Sequence, residues 1–575
     1  MSNFFSSLKN YTTQIIFVLI LILFQSLSQL YLPTLMGDIV NIGVIQGDTQ
    51  YILRVGKYML LVAFAGMVCT VAASYFSSRV AMGFSKNLRD RVFSKVENFS
   101  FREFDRLGTA SLITRTTNDI IQIERVLMVT LRMMVSAPLM FIGGIIMAVS
   151  KDAVLSLVIV LVTPVLAITT FILARKGLPL FKQIQLRLDR LNLVSREGLN
   201  GVRVIRAFNR EEYEKKRFYN ANQDLTHISI KVNQIMAVLM PTIMLVMNFT
   251  TIAVIWFGGI RIENGYMQIG DMMAFIQYVM LIMFSLIMVS MMFIMIPRAA
   301  VSAARINEVL SSTSEIKNPE KVSHPVKLIG TIEFKNVTFS YPGAEEPILN
   351  NISFFAKPGQ TTAIIGGTGV GKSTLINLIP RFYDVDQGSI LIDGIDIREL
   401  SQAELRSQIG FVPQKAVLFS GTITDNIRYG REDSSDGEVK AAAKTAQALE
   451  FIKQLPDGFD SIIAQGGNNL SGGQKQRLSI ARALVKRPKI FIFDDSFSAL
   501  DYKTDAKLRE ALKEATKDST MILVAQRIST VWDAEKIIVL DKGKIVGVGT
   551  HCELLKTSNI YREIVTSQLT EEELA

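Results

Sequence analysis

The chain has 575 residues, of which 49% are hydrophobic, and it carries a formal net charge of +10. This length is too great for one ordinary domain, and the apolar excess lies in the first half, which argues against a wholly soluble protein. The lysines and arginines cluster between apolar stretches, so the positive charge fits the cytoplasmic side of a membrane better than a nucleic-acid surface. The two cysteines, Cys69 and Cys552, provide neither a disulfide framework nor a metal site.

The first half contains six apolar stretches, each long enough to cross about 30 Å of hydrocarbon. They lie near residues 13–33, 57–78, 128–149, 153–174, 234–257 and 271–296. The first is an apolar run with no small-residue cleavage site, which favours a retained span over a signal peptide. We therefore predict a transmembrane domain of six α-helices over residues 1–300.

The distribution of basic residues predicts the orientation of these spans. Residues 79–125 contain nine lysines and arginines and residues 175–231 contain thirteen, whereas the alternate loops contain few. By the positive-inside rule, both termini and the two long basic loops are cytoplasmic, and the chain crosses the cell membrane several times. Apolar residues recur in these loops with helical spacing, so we expect the membrane helices to continue into the cytoplasm.

Few polar residues interrupt the spans: Gln25, Gln29, Arg132, Asn248 and Gln277. An intramembrane polar group usually faces the interior of the helix bundle or a water-filled path. Arg132 either follows this rule or, near the cytoplasmic end of its helix, reaches water with its guanidinium. The last span is rich in methionine, which suits either a pocket for varied apolar ligands or ordinary contact with lipid.

A polar linker over residues 301–329 leads to a second domain over residues 330–575. Residues 331–341 alternate like a β-strand, and the apolar strand 361–365 is followed by a G-x-x-x-x-G-K-S phosphate loop. The loop consists of Gly366, Gly367, Thr368, Gly369, Val370, Gly371, Lys372 and Ser373. Its backbone N–H groups face phosphate, Lys372 reaches the β- and γ-phosphates of ATP, and Ser373 offers a hydroxyl to Mg²⁺.

The run from Leu470 to Asp501 carries the second set of motifs. A Ser-Gly-Gly loop opens a basic helix, which suits phosphate binding at the helix start, and the buried strand 490–493 follows. Asp494 at the tip of that strand suits a Mg²⁺ ligand. Residues 520–525 predict another buried strand, and a later segment with an Asp-Lys-Gly turn predicts a hairpin.

These motifs resemble those of the nucleotide-binding domains of ABC transporters, and the membrane pattern is similar to that of bacterial multidrug ABC exporters. The resemblance covers nearly the whole chain. It implies a six-helix α-helical transmembrane domain of the ABC exporter type, followed by an α/β P-loop ABC ATPase domain. It also implies that Tyr341 stacks on adenine, that Thr374 and Gln414 contact the nucleotide, and that Ser373, Gln414 and Asp494 hold Mg²⁺.

The same resemblance assigns the signature motif and the loops that transmit motion. The signature consists of Leu470, Ser471, Gly472, Gly473 and Gln474, and the D-loop ends at Asp501. Short coupling helices are expected in the two long cytoplasmic loops, within Phe104–Asp119 and Ala207–Phe218. In the family, each ATP lies between the phosphate loop of one subunit and the signature of the other.

Two positions depart from the family pattern. Family members place a glutamate after the Walker B aspartate and a histidine after the next strand, whereas this chain has Asp495 and Gln526. Aspartate is one methylene shorter, and a base misplaced by about 1 Å costs about 10²-fold in rate. Glutamine does not carry the positive charge of an imidazolium. We therefore expect this site to bind ATP and to hydrolyse it slowly.

An intact signature beside a weak catalytic site implies a partner. The resemblance is closest to the degenerate-site subunit of heterodimeric exporters, so we expect a second, different half-transporter with intact catalytic glutamate and histidine. The expected cargo is a hydrophobic or amphiphilic small molecule of the multidrug type, moved out of the cell, and the lipid bilayer is the other expected partner. A lipid or peptide exporter and an ATP-gated channel or sensor remain alternatives, whereas the six spans exclude a soluble ATPase acting on nucleic acid.

Overall fold

The computed structural model describes residues 8–319 and 329–568 of the chain. The chain divides into two compact units. The first consists of Met1–Glu97 and Thr109–Ser312, and the second of Asn98–Gly108 and Thr313–Ala575. The second unit therefore includes a short piece of the first long cytoplasmic loop.

The part of the chain up to Ser311 is mostly helical. Its α-helices are α1 (Thr12–Asp38), α2 (Thr49–Glu97), α3 (Phe101–Leu107), α4 (Thr109–Thr116), α5 (Asn118–Val129), α6 (Val135–Lys151), α7 (Leu157–Asn200), α8 (Val202–Ala207), α9 (Glu211–Glu263) and α10 (Ile269–Ser311). A π-helical segment, Ile39–Val44, follows α1, and another, Thr130–Met134, joins α5 to α6.

Within the described residues, five helical segments are long and apolar enough to cross a membrane. They are Lys9–Val44, Thr49–Glu97, Thr109–Lys151, Glu211–Glu263 and Ile269–Val289. The remaining predicted span falls in α7, where the described apolar stretch is Leu157–Thr169. The helical transmembrane domain predicted from the sequence is thus present.

Helices α1 and α10 pack closely in the first unit. A Cβ atom on Gly270 would lie 2.2 Å from the carbonyl oxygen of Gly37, so this approach requires a residue without a side chain. Further along the same pair, the fully buried Tyr278 donates a hydrogen bond to the Leu30 carbonyl (3.0 Å) and shares one with the Thr34 hydroxyl (2.6 Å). These contacts satisfy a polar group that would be costly among apolar helices.

The second unit is built on β-sheets covered by helices. Its strands are β1 (Ile332–Phe339), β2 (Leu349–Ala356), β3 (Thr361–Ile365), β4 (Gln387–Ile392), β5 (Ile395–Asp396), β6 (Ile409–Val412), β7 (Gly421–Thr422), β8 (Ile462–Ile463), β9 (Ile490–Asp494), β10 (Thr520–Val524), β11 (Lys536–Asp541) and β12 (Lys544–Gly549). Its helices are α11 (Lys372–Leu378), α12 (Gln402–Ser407), α13 (Ile423–Arg428), α14 (Asp436–Thr445), α15 (Leu449–Gln454), α16 (Gly472–Val485), α17 (Tyr502–Ala515), α18 (His551–Thr557) and α19 (Asn559–Thr566).

The main sheet has the strand order β12-β11-β3-β10-β9-β6. Its strands pair in parallel, except that β12 returns antiparallel to β11 as the predicted hairpin. A second, antiparallel sheet has the order β2-β1-β4-β5. Side chains from both sheets share one apolar core, and the opposite face of the main sheet packs on a second core with the helices. The predicted α/β ATPase domain is confirmed.

The two long cytoplasmic loops contain the short helices α3, α4 and α8. Helix α3 begins after Ser100, whose N–H donates to the Glu103 carboxylate (2.8 Å) in a capping box, and it ends at Gly108, which has a φ of 74°. The segment Phe104–Asp119, for which a coupling helix is predicted, contains α4 and the last residues of α3. Helix α8 ends at Ala207, the first residue of the predicted segment Ala207–Phe218, and α9 occupies most of that stretch.

Candidate functional site

Three loops that follow neighbouring parallel strands form the candidate site. Strand β10 lies between β3 and β9, so the segments after these three strands share one edge of the sheet. The phosphate loop 366–373 follows β3, Asp495 follows β9, and Gln526 lies two residues after β10. The carboxyl edge of a parallel sheet is where ligands of such folds bind.

The phosphate loop has the backbone shape that its glycines allow. Gly369 and Gly371 have φ angles of 81° and 99°, in the region that favours glycine. A Cβ atom on Gly366 would lie 2.1 Å from the Leu540 carbonyl oxygen, so this glycine lets the loop pass close to β11. The loop then runs directly into α11, with Gly371 as its N-cap. Its N–H groups and the helix start suit a phosphate group.

Lys372 is buried at the base of this loop, with 8% of its surface exposed. Its ammonium donates to the carbonyl oxygens of Gly366 (2.9 Å) and Gly367 (2.6 Å). Burial lowers the pKa of this lysine, while the negative charges of Asp495 and Asp494 act in the opposite direction. An ammonium that is bonded only to loop carbonyls is well placed to transfer its hydrogen bonds to phosphate oxygens.

Ser373 and Asp494 form the candidate magnesium site. The Ser373 hydroxyl donates to Asp494 Oδ1 over 3.0 Å, and the Asp494 side chain is buried. Burial raises the pKa of Asp494, whereas the hydrogen bond from Ser373 lowers it. A hydroxyl beside a carboxylate is an oxygen pair that fits Mg²⁺, so these residues would hold the ion. Mg²⁺ bound there would neutralise charge on the phosphate oxygens.

Asp495 is held by two glutamine side chains. The amide nitrogens of Gln526 (3.0 Å) and Gln414 (3.4 Å) both donate to its Oδ2 atom. Burial raises the pKa of this carboxyl group, and the hydrogen bond from Gln414 opposes that effect. In this structure Gln414 therefore contacts Asp495, and the predicted role of Gln414 as a Mg²⁺ ligand remains a prediction.

The predicted adenine-stacking residue also lies near the phosphate loop. The Tyr341 hydroxyl shares a hydrogen bond with the Thr374 hydroxyl (3.1 Å), in the first turn of α11. Its ring packs edge-on against Phe339 and Tyr383, with centroid distances of 5.2 Å and 5.5 Å. This packing fixes the ring beside the loop, where an aromatic face suits a base.

Comparison with known proteins identifies the family. The model described as ABC transporter transmembrane region matches residues 15–287, and the model described as ABC transporter matches residues 349–498. The chain is also 43% identical over 565 residues to an uncharacterised ABC transporter ATP-binding protein of Mycobacterium tuberculosis, covering 98% of this chain and 97% of that protein. This chain belongs to the ABC transporters.

A further relative and a solved structure extend the comparison, and the solved structure is that of an exporter. It is 34% identical over 478 residues to a fatty acid ABC transporter ATP-binding/permease protein of Mycobacterium tuberculosis, covering 83% of this chain and 75% of that protein. A solved structure of a bacterial Atm1-family ABC exporter with ATP bound matches with a TM-score of 0.82 and 27% identity, over 98% of this chain and 99% of that one. The transporter is thus an ATP-driven, multi-pass exporter of the cell membrane, with its ATPase domain in the cytoplasm.

The predicted signature, residues 470–474, lies at the start of helix α16. Ser471 caps this helix: its N–H donates to Gln474 Oε1 (2.8 Å), and its hydroxyl accepts from the Gln474 N–H (3.3 Å). Leu470 is buried, whereas Ser471 and Gly472 are exposed. Asp501 in the D-loop caps the next helix, α17, by accepting from the Thr504 N–H (2.9 Å), and this bond lowers the pKa of Asp501.

One residue near the site was missed by the sequence reasoning. Gln568 donates from its amide to the Gln526 carbonyl oxygen (2.8 Å) and accepts from the Ile528 N–H (2.9 Å). Its side chain therefore bonds to the backbone of the loop at Gln526 and again two residues later, at Ile528. No local pattern indicates this role, because Gln568 lies far along the chain and just beyond α19.

Proposed function

We propose that this ABC transporter is one subunit of a heterodimeric exporter, and that its own phosphate-loop site binds ATP but hydrolyses it slowly. The observation that carries the proposal is the contact of the Asp495 carboxylate with Gln526 and Gln414. A catalytic base at this position has to reach a water molecule aligned with the γ-phosphate. The shorter aspartate, bonded to two amides, is badly placed to do so.

The second catalytic position supports the same proposal. Gln526 donates its amide hydrogen to Asp495, and a neutral amide adds no positive charge near the γ-phosphate. His551, in the same compact unit, does not replace the missing imidazole, because its ring is bonded to the Tyr561 hydroxyl (2.7 Å) beyond β12. ATP binding is expected to persist, because Lys372 and Ser373 retain the expected geometry.

The exposed signature supports the choice of a heterodimer. Ser471 and Gly472 leave the start of α16 open to a phosphate from another subunit. In a homodimer both ATP sites would contain Asp495 and Gln526, and both would be slow. A different partner with a catalytic glutamate and histidine would form one fast site with this signature.

The proposed cargo is a hydrophobic or amphiphilic compound. The relative described as a fatty acid ABC transporter supports a lipid-like amphiphile within this class. A peptide cargo is also compatible with this architecture. An ATP-gated channel or sensor would also tolerate a slow ATP site, but it would not drive a compound against its gradient.

The proposal is tested with the full chain in lipid nanodiscs, alone and together with its partner. Alone, the chain should bind Mg·ATP but turn it over slowly, and the complex should hydrolyse ATP and move a fluorescent amphiphile uphill. Rapid hydrolysis by a verified homodimer would contradict the slow-site proposal. Passive flux without uphill transport would instead support a channel.

A further inference from the structure

Arg132 lies at the depth of the inner membrane boundary. At the opposite end of its helix, Lys151 pairs with Asp271 (2.8 Å), and the adjacent Asp152 pairs with Arg261. These ion pairs mark the outer end of the spans, in the orientation that the basic loops predict. At 1.5 Å per residue, Arg132 lies about 28 Å below Lys151, close to the full thickness of the hydrocarbon layer, which is about 30 Å.

Arg132 faces a cavity between helices of the first unit. The cavity has a volume of about 260 Å³ and is lined by residues of α1, α2, α10 and the helix that carries Arg132. Gln25 and Ser136 add polar groups to its wall, and Ile22, Ala73 and Met288 are among its apolar residues. Arg132 itself belongs to the π-helical segment Thr130–Met134, a local distortion that often occurs at functional sites.

The cavity contains a positive charge without a matching negative one. The described residues that line it include no aspartate or glutamate, and the Arg132 guanidinium has no hydrogen bond or ion pair with another described side chain. Lys151 and Arg261, at the outer end, are both paired with aspartates. Arg132 is exposed and lies at the inner boundary of the hydrocarbon layer, so its guanidinium is accessible to the anionic headgroup of a molecule in that leaflet.

We propose that this cavity binds the anionic headgroup of a single-chain amphiphile that enters from the inner leaflet. The guanidinium would bind the headgroup, Gln25 and Ser136 would supply further hydrogen bonds, and the apolar wall would contact the first part of the chain. The volume is slightly below the usual range for a whole drug-sized ligand, so the rest of the chain would lie in the bilayer. This inference rests on the proposed export function, for which it names the substrate class.

The test measures binding of tritiated oleate to the full chain in phosphatidylcholine nanodiscs at pH 8, without ATP. Oleyl alcohol and oleylamine, of similar chain length, are competitors with a neutral and a cationic headgroup. We expect oleate to bind at least about tenfold more tightly than the alcohol. Arg132→Gln should weaken oleate binding about ten- to hundredfold and leave the alcohol unaffected, whereas Arg132→Lys should retain most of the affinity.

Arg125→Gln is the matched control, because Arg125 is an exposed arginine earlier on the same helix that does not line the cavity. It should leave oleate binding unchanged. If oleoyl lysophosphatidate competes with oleate, the site binds phosphate as well as carboxylate headgroups, and this result would also support the proposal.

Three results would overturn the proposal. The first is equal binding of oleate and oleyl alcohol, and the second is unchanged oleate binding in Arg132→Gln. The third is that oleate is displaced only when phosphatidylglycerol is added to the nanodisc. The last two would mean that Arg132 reaches interfacial water or bulk lipid. Because the assay needs neither ATP nor a partner, failure of export would contradict the proposed function without affecting this result.

Discussion

Two regions of the ATPase domain, the phosphate-loop side (residues 366–373 with Asp495 and Gln526) and the signature side (residues 470–474), differ in the hydrogen-bond partners of their polar groups. On the phosphate-loop side, Lys372, Ser373 and Asp495 all bond to groups of the same site. On the signature side, Ser471 bonds only to its own helix, and the helix start is exposed. The groups predicted to bind nucleotide are thus present on both sides, whereas the two residues that depart from the family pattern, Asp495 and Gln526, lie on the first.

The largest expected effect comes from blocking the signature side. Ser471→Arg places a long side chain where the partner's ATP should bind, so hydrolysis by the complex should fall about 10²- to 10³-fold. The measurement is the steady-state ATPase rate of the complex. Ser435→Arg is the control, because Ser435 forms the same kind of capping box, with Glu438, at the start of α14. Equal activity of the two variants would show that the sites are not shared across a dimer.

On the phosphate-loop side, Lys372→Ala should weaken Mg·ATP binding to the full chain about 10- to 150-fold, because a charged donor to the phosphates is lost. Equilibrium binding of a fluorescent ATP analogue measures this loss. Lys486→Ala is the control: the Lys486 ammonium also donates to two carbonyl oxygens, those of Arg406 (2.7 Å) and Ile409 (2.8 Å), and burial also lowers its pKa. A similar loss of Mg·ATP affinity in both variants would show that the loss comes from impaired folding and not from a missing phosphate contact.

Restoring the catalytic pair should accelerate the slow site only in part. Asp495→Glu with Gln526→His should raise its ATPase rate about tenfold, in a complex whose partner has its own catalytic glutamate changed to glutamine. Asp495 has a φ of 45°, a backbone region that aspartate tolerates better than glutamate, so the new base will be strained. No gain, with ATP still bound, would contradict the assignment of these two residues.

A smaller effect is expected from the loop that carries Gln526. Gln568→Ala removes the acceptor of the Ile528 N–H, so hydrogen exchange at that amide should accelerate about two- to tenfold. Ser567→Ala is the control, because the Ser567 hydroxyl donates only within its own helical turn, to Ile564 (2.8 Å). Equal exchange in both variants would show that Gln568 does not hold this loop.

The sequence predicted those features that depend on neighbouring residues. The strand before the phosphate loop, the strand ending at Asp494 and the hairpin at Lys542 and Gly543 all occur as predicted. The start of α3 was missed, although the Ser100–Glu103 capping box marks it in the sequence.

Contacts between distant segments were not predictable in this way. The bonds of Gln568 to Gln526 and Ile528 depend on how the C-terminal helices pack against the sheet. The meeting of Gln414 with Asp495 depends on β6 lying beside β9. Neither arrangement leaves a periodic or local pattern in the chain.

The central claim is that Asp495 contributes little as a catalytic base, and Asp495→Asn tests it most directly. The measurement is single-turnover ATP cleavage at this site, in the complex whose partner has its catalytic glutamate changed to glutamine. A well-placed base contributes about 10²- to 10⁴-fold, and a misplacement of about 1 Å already removes about 10² of that. We therefore predict a loss of less than about tenfold. A loss of 10² or more, with ATP binding unchanged, would show that Asp495 is an effective base and would contradict the slow-site account.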